Sequence, residues 1–86
     1  MEVEYSRPFI KAYKKAPLYI QEAFDSRLKL FLSNSHHPFL RNHPLTGDLQ
    51  GRRSFNVTGD WRTIFKETEN GILLIGIGTH SQLYRK

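Results

Sequence analysis

The run Ile72-Leu73-Leu74-Ile75-Gly76-Ile77-Gly78 constrains the fold of this chain more than any other segment. It is apolar at nearly every position. It therefore reads as a central strand, covered on both faces or covered on one face with a ligand groove on the other. The run stops at Thr79-His80, which leaves an imidazole at the end of a buried strand. A sheet core has no need of a histidine there, whereas a site at the rim of the sheet has a use for one.

The rest of the chain supplies that strand with neighbours. Glu2-Val3-Glu4-Tyr5 alternates and suits a short strand. Ser6 is placed to cap a helix, with Pro8 in its first turn. Phe9, Ala12, Tyr13 and Ala16 then fall on one helical face. Pro17 ends that helix and opens a second, whose apolar stripe is Ile20, Ala23, Phe24, Leu28 and Phe31. Ser33-Asn34-Ser35 closes it, and residues 35–51 read as irregular. From Arg52 to Val57 the period changes to two, with Arg53, Phe55 and Val57 on one side and Arg52, Ser54 and Asn56 on the other. Thr58-Gly59 signals a turn, residues 60–67 are rich in strand formers, and Asn70-Gly71 signals a hairpin. The expected fold class is α+β in the order β-α-α-β-β-β. An antiparallel sheet carries an N-terminal helical hairpin on one face, in a single domain over residues 1–86.

A chain of 86 residues holds one core. It has no cysteine, which excludes disulfides, thiolate metal sites and thiol nucleophiles. No basic stretch followed by an apolar one marks a signal peptide, and no apolar run approaches the roughly 20 residues that span a bilayer. A cytoplasmic protein without membrane contact is expected. Thirteen Lys and Arg stand against eight Asp and Glu, a formal net charge of +5. The surplus is spread along the chain through Arg41, Arg52, Arg53 and Arg62 to Arg85 and Lys86, and favours polyanionic partners. Phosphate-loop and dinucleotide motifs are missing, so no nucleotide cofactor is expected. Four histidines without ligand spacing give no support to a metal site.

The residues able to carry chemistry lie mostly in the second half. His80 is either a solvated terminal histidine or a general acid or base. His43 sits in the loop Asn42-His43-Pro44, where a histidine needs no special role. Asp60 either caps the turn after Gly59 or serves as a carboxylate that orients an imidazole or accepts a proton. Arg53 and Arg62 read as surface strand residues or as clamps for a phosphate. Trp61 reads as core. Gly76 and Gly78 suit the close approach of another backbone or of a substrate.

The segments His43-Pro44-Leu45-Thr46-Gly47, Leu49-Gln50-Gly51, Phe55-Asn56-Val57-Thr58-Gly59-Asp60-Trp61-Arg62 and Gly78-Thr79-His80-Ser81-Gln82-Leu83-Tyr84 together resemble the RelE/StbE family of type II toxin–antitoxin toxins. The likeness is closest to its YafQ-like branch and covers nearly the whole chain. The resemblance implies a RelE/ParE-like fold and a ribosome-dependent endoribonuclease that cuts messenger RNA in the A site. It also implies a cognate antitoxin. The branch's functional histidines and aspartate fall on His43, Asp60 and His80, and its C-terminal aromatic falls on Tyr84. One departure is Asn56, where the branch often carries a histidine. Asparagine holds a hydrogen bond but does not shuttle a proton at neutral pH.

The implied reaction is metal-free transesterification, with His80 as acid, His43 or Asp60 as base, and Arg53 and Arg62 as clamps. Tyr84 would stack on a base or fix the substrate. Two rivals share the fold: a ParE-type toxin that binds gyrase without cutting RNA, and a catalytically degenerate toxin, to which Asn56 points. Either toxin reading expects an amphipathic antitoxin segment docked on the sheet or helices.

Overall fold

Local chemistry sets the helical hairpin. A computed structural model of the chain describes residues 1–84; Arg85 and Lys86, two of the cations counted above, lie outside the described residues. The Ser6 side chain accepts from the Phe9 backbone N–H at 3.1 Å and opens α1, Arg7–Lys15, with Pro8 in its first turn. Pro17 then caps α2, Leu18–Ser33. The two helices are tied by the Tyr13 hydroxyl, which donates to Asp25 at 2.9 Å. Burial, followed by that hydrogen bond, raises the Tyr13 phenol above its ordinary pKa, so the tie holds at neutral pH and is lost only as pH climbs through the phenol's titration.

Five strands form where four were expected, β1 Glu2–Tyr5, β2 His43–Pro44, β3 Arg53–Asn56, β4 Trp61–Glu67 and β5 Gly71–Thr79; the additions to the expected order are β2 and a short C-terminal helix α3, His80–Tyr84. The strands form one sheet in the order β1-β5-β4-β3-β2. The α+β class and the hairpin on one face hold. The sheet is mixed, however, rather than antiparallel throughout, because β1 runs parallel to β5. The helical hairpin carries the chain from the β1 edge to the opposite, β2 edge, and three antiparallel pairings then bring β5 back beside β1 in the same direction. The two-residue strand β2 lies inside the segment expected to be irregular and pairs His43 with Ser54.

The strand read from the apolar run is central, between β1 and β4. Its unbroken hydrophobicity has a local cause. A bulge shifts the register between Ile64 and Phe65, so Ile64 pairs with Gly76 while Phe65 pairs with Leu74. The extra residue, Ile75, lets Leu74 and Ile77 both face the helices. Its carbonyl accepts from the Ser6 hydroxyl at 3.1 Å, which ties the start of α1 to the bulge.

The core lies between that face and the helices. Phe9, Phe24, Phe31, Phe55, Phe65, Leu40, Ile72 and Leu74 are all buried there, with Trp61 packed against them as expected. The Asn70-Gly71 signal locates a real hairpin, but Gly71 serves another purpose. Its φ is not positive, and a Cβ there would overlap the main chain of Glu2. Gly71→Ala is expected to free β1 from β5 and cost roughly 1–3 kcal/mol. Faster amide exchange at Glu2 and Ser6, whose N–H groups donate to the Asn70 and Leu74 carbonyls, than in the rest of the sheet would register the change.

Candidate functional site

The sheet face away from the helices carries the polar residues, and its register gathers them. Paired residues on antiparallel strands point to the same side. Asn56 pairs with Arg62, and Arg62 with Gly78, so those three form a row across β3, β4 and β5. His43 shares the face because it pairs with Ser54, two residues from Asn56 on the same strand.

His80 reaches this face by a helix cap. Thr79 Oγ1 accepts from the Gln82 backbone N–H at 3.2 Å, and Gln82 Oε1 accepts from the Thr79 N–H at 2.9 Å. This reciprocal capping box turns β5 into α3 within one residue. α3 folds back over the sheet, where Gly78 leaves room for Gln82 and Leu83: a Cβ there would come within 3.0 Å of Gln82 Oε1 and 3.4 Å of Leu83. The expected close approach at Gly76 and Gly78 is thus to side chains of α3.

Arg41, Asn42, His43, Leu45, Asn56, Arg62, His80 and Tyr84 line an open cleft of about 600 Å³. Two arginines and two histidines meet there, with no carboxylate among the lining residues. That balance suits an anion. His43 Nδ1 lies 2.6 Å from the Arg41 carbonyl. A carbonyl only accepts, so Nδ1 must carry the proton, and Nε2 is left as the proton-accepting nitrogen of the neutral ring. The His80 ring packs on Tyr84, one helical turn on, at 4.6 Å between centroids. Tyr84 therefore buttresses His80, and its hydroxyl is buried without a partner among the described residues. The Arg62 guanidinium donates through Nη1 to the Gly59 and Asp60 carbonyls at 3.3 and 3.2 Å.

Two expected site residues stand apart from this lining. Asp60 is exposed at the β3–β4 turn. Its carbonyl accepts from the His80 backbone N–H at 3.0 Å, while its carboxylate does not line the cleft. Arg53 shares the side of Phe65, opposite Asn56, and its Nε donates to Asn42 Oδ1 at 2.9 Å. It is therefore placed away from the phosphate-clamp position expected of it. Arg41 and Asn42 were not among the expected site residues. Arg41 has φ +49°, a left-handed conformation that the residue type does not announce. Among the described residues no three His, Asp or Glu side chains gather into a metal-binding group. No helix is long and apolar enough to cross a membrane.

A mixed sheet under an N-terminal hairpin, with α3 turned over its open face, is the architecture of the small RelE/YoeB-type toxins. The YoeB/ParE toxin from Agrobacterium tumefaciens superposes with a TM-score of 0.75 at 16% identity, over 93% of this chain and 99% of that one, and so shares the fold. Nearer likenesses are YafQ from E. coli strain BL21(DE3), with a TM-score of 0.82 at 26% identity over 96% of this chain and 97% of that one, and the toxin of the E. coli DinJ-YafQ toxin-antitoxin complex, at 0.79 and 28% over 96% of each chain. A search of curated protein sequences finds no match. The family model described as "Bacterial toxin of type II toxin-antitoxin system, YafQ" matches residues 1–85. The chain belongs to that family of toxins.

Proposed function

We propose that this toxin is an endoribonuclease that cuts messenger RNA on the ribosome, in the A site, by transesterification. The observation that carries the reading is the meeting of two imidazoles and two guanidiniums in one cleft, with no carboxylate lining it. His43 Nε2 takes the proton of a ribose 2′-hydroxyl. The freed oxygen attacks the adjacent phosphorus. His80 gives a proton to the departing 5′-oxygen, so one strand ends in a 2′,3′-cyclic phosphate and the other in a 5′-hydroxyl. Arg41 and Arg62 offset the negative charge that builds on the phosphorane oxygens. Asn56 offers hydrogen bonds to the sugar-phosphate, Tyr84 holds the His80 ring through its own ring, and Asp60 anchors the start of α3 through its carbonyl, which accepts from the His80 N–H. No step requires a proton from position 56, so asparagine there is compatible with turnover. No metal enters these steps.

The DinJ-YafQ complex of E. coli pairs its toxin with an antitoxin, and we extend that pairing to a cognate antitoxin for this chain.

The test is cleavage of a messenger by the purified chain on translating ribosomes, with the ends of the products identified. Cyclic-phosphate and 5′-hydroxyl ends are expected, and a 2′-deoxy nucleotide at the cut site should abolish cleavage. Arg62→Ala should slow cutting by about 10²-fold. Intact messenger together with arrested gyrase supercoiling would replace this reading with the binding-only toxin.

A further inference from the structure

We infer that Arg53 and Asn42 form a positioning pair that sets the ring orientation and tautomer of His43, acting through the Arg41 carbonyl rather than on the reacting atoms. The inference deepens the proposed reaction and rests on His43 being its proton acceptor.

The geometry runs through one peptide group. Asn42 is held from two directions. Arg53 Nε on β3 donates to Asn42 Oδ1 at 2.9 Å, and Asn42 Nδ2 donates to the Ser35 carbonyl at 2.9 Å. The carbonyl that receives the His43 Nδ1 proton belongs to Arg41, in the peptide group shared with Asn42. Fixing Asn42 fixes the direction of that carbonyl. The carbonyl in turn selects the Nδ1-protonated ring and leaves Nε2 free to accept.

The turn would not hold this shape unaided. Arg41 has φ +49° and ψ +44°, and a left-handed non-glycine residue persists where its surroundings over-determine it. Those surroundings are visible. Leu40 is fully buried, the Arg27 guanidinium lies 5.5 Å from the Phe39 ring centroid, and the Arg53–Asn42–Ser35 chain closes the other side. A guanidinium suits the post because its rigid fork fixes the direction of the Nε–H, whereas a lysine presents a rotating point charge. Charge alone would not account for Arg53, whose guanidinium lies off the cleft lining.

The decisive measurement is long-range proton–nitrogen NMR of the imidazoles in the isolated, folded chain. It reports the His43 tautomer whether or not the protein cuts RNA. In the parent, neutral His43 is expected to carry its proton on Nδ1. Arg53→Lys, which keeps the charge, and Asn42→Ala, a half-buried loop truncation that leaves the core intact, should each shift His43 toward the Nε2-protonated form. Each should lower kcat by up to about 10²-fold with little change in KM. The double variant should lose no more than either single one, because the two residues act through one chain.

A His43 tautomer unchanged in both variants overturns the inference, even if cleavage falls. So does a rise in KM with kcat intact, which would make Arg53 a phosphate contact. A parent chain that cuts no RNA sinks the proposed function instead, and the tautomer measurement still decides the positioning role.

Discussion

His80→Ala is expected to cut messenger cleavage by about 10²–10⁴-fold, the usual contribution of a positioned acid or base, while leaving the fold intact. The fold should survive because His80 is exposed and its structural link is made by its backbone N–H to the Asp60 carbonyl, which alanine keeps. The capping box uses Thr79 and Gln82, so α3 should still form. A change in unfolding free energy within roughly 0.5 kcal/mol is expected. Chemistry then separates the two imidazoles. If His80 protonates the leaving 5′-oxygen, a substrate with sulfur at that bridging position should no longer need it, because a thiolate leaves without a proton. His80→Ala should recover most of its lost rate on that substrate, and His43→Ala should not. Recovery by the His43 variant alone would exchange the two roles. Recovery by neither would remove His80 from leaving-group protonation.

Much of this architecture was legible because it depends on short-range rules. The period of 3.6 over Phe9–Ala16 and Ile20–Phe31, the proline between the helices, and the period of two over residues 52–57 each appear as the elements they predict. What stayed hidden depends on long-range or conformational facts. Alternation in Glu2–Tyr5 reports a strand but not its direction, so the parallel pairing with β5 could not be read. The bulge at Ile75 appears in sequence as a continuous apolar run, because it puts the side-chain alternation out of step.

The site divides in the same way. His43, Asn56, Arg62, His80 and Tyr84 were singled out and line one cleft. The charge of Arg53 suits a phosphate clamp, but the alternation that puts it beside Phe55 places it on the helix side of the sheet. Arg41 was missed because a left-handed arginine is set by the packing around it. Thr79-His80-Ser81-Gln82 was readable as a capping box, and reading it would have predicted both α3 and the place of His80 at its first turn.

Phe55→Ala should produce the opposite signature: stability and cleavage lost together. Phe55 is fully buried, with ring centroids 5.3 Å from Phe31, 5.7 Å from Phe65 and 6.1 Å from Phe24. It touches both layers through these three aromatic partners, so no neighbour can collapse into its place without opening a gap elsewhere. Truncation should cost about 3–5 kcal/mol. For a domain of this size each kcal/mol moves the midpoint by about 4–8 °C, so a drop of roughly 12–40 °C in Tm is expected. Phe55→Leu refills most of the volume and discards only the ring geometry, so it should cost much less, about 1–2 kcal/mol. A Leu variant as damaged as the Ala variant would mean that ring geometry, rather than filled volume, holds the layers together. The functional consequence follows from strand geometry. Ser54 and Asn56 flank Phe55 on β3 and face the other way, Ser54 carrying His43 as its cross-strand partner and Asn56 lining the cleft. The floor of the site is therefore lost when the sheet around Phe55 unfolds. Cleavage by Phe55→Ala should fall with the folded fraction as temperature rises and match the parent's at temperatures where the variant is still fully folded, whereas the loss in His80→Ala should be the same at every temperature below its melting.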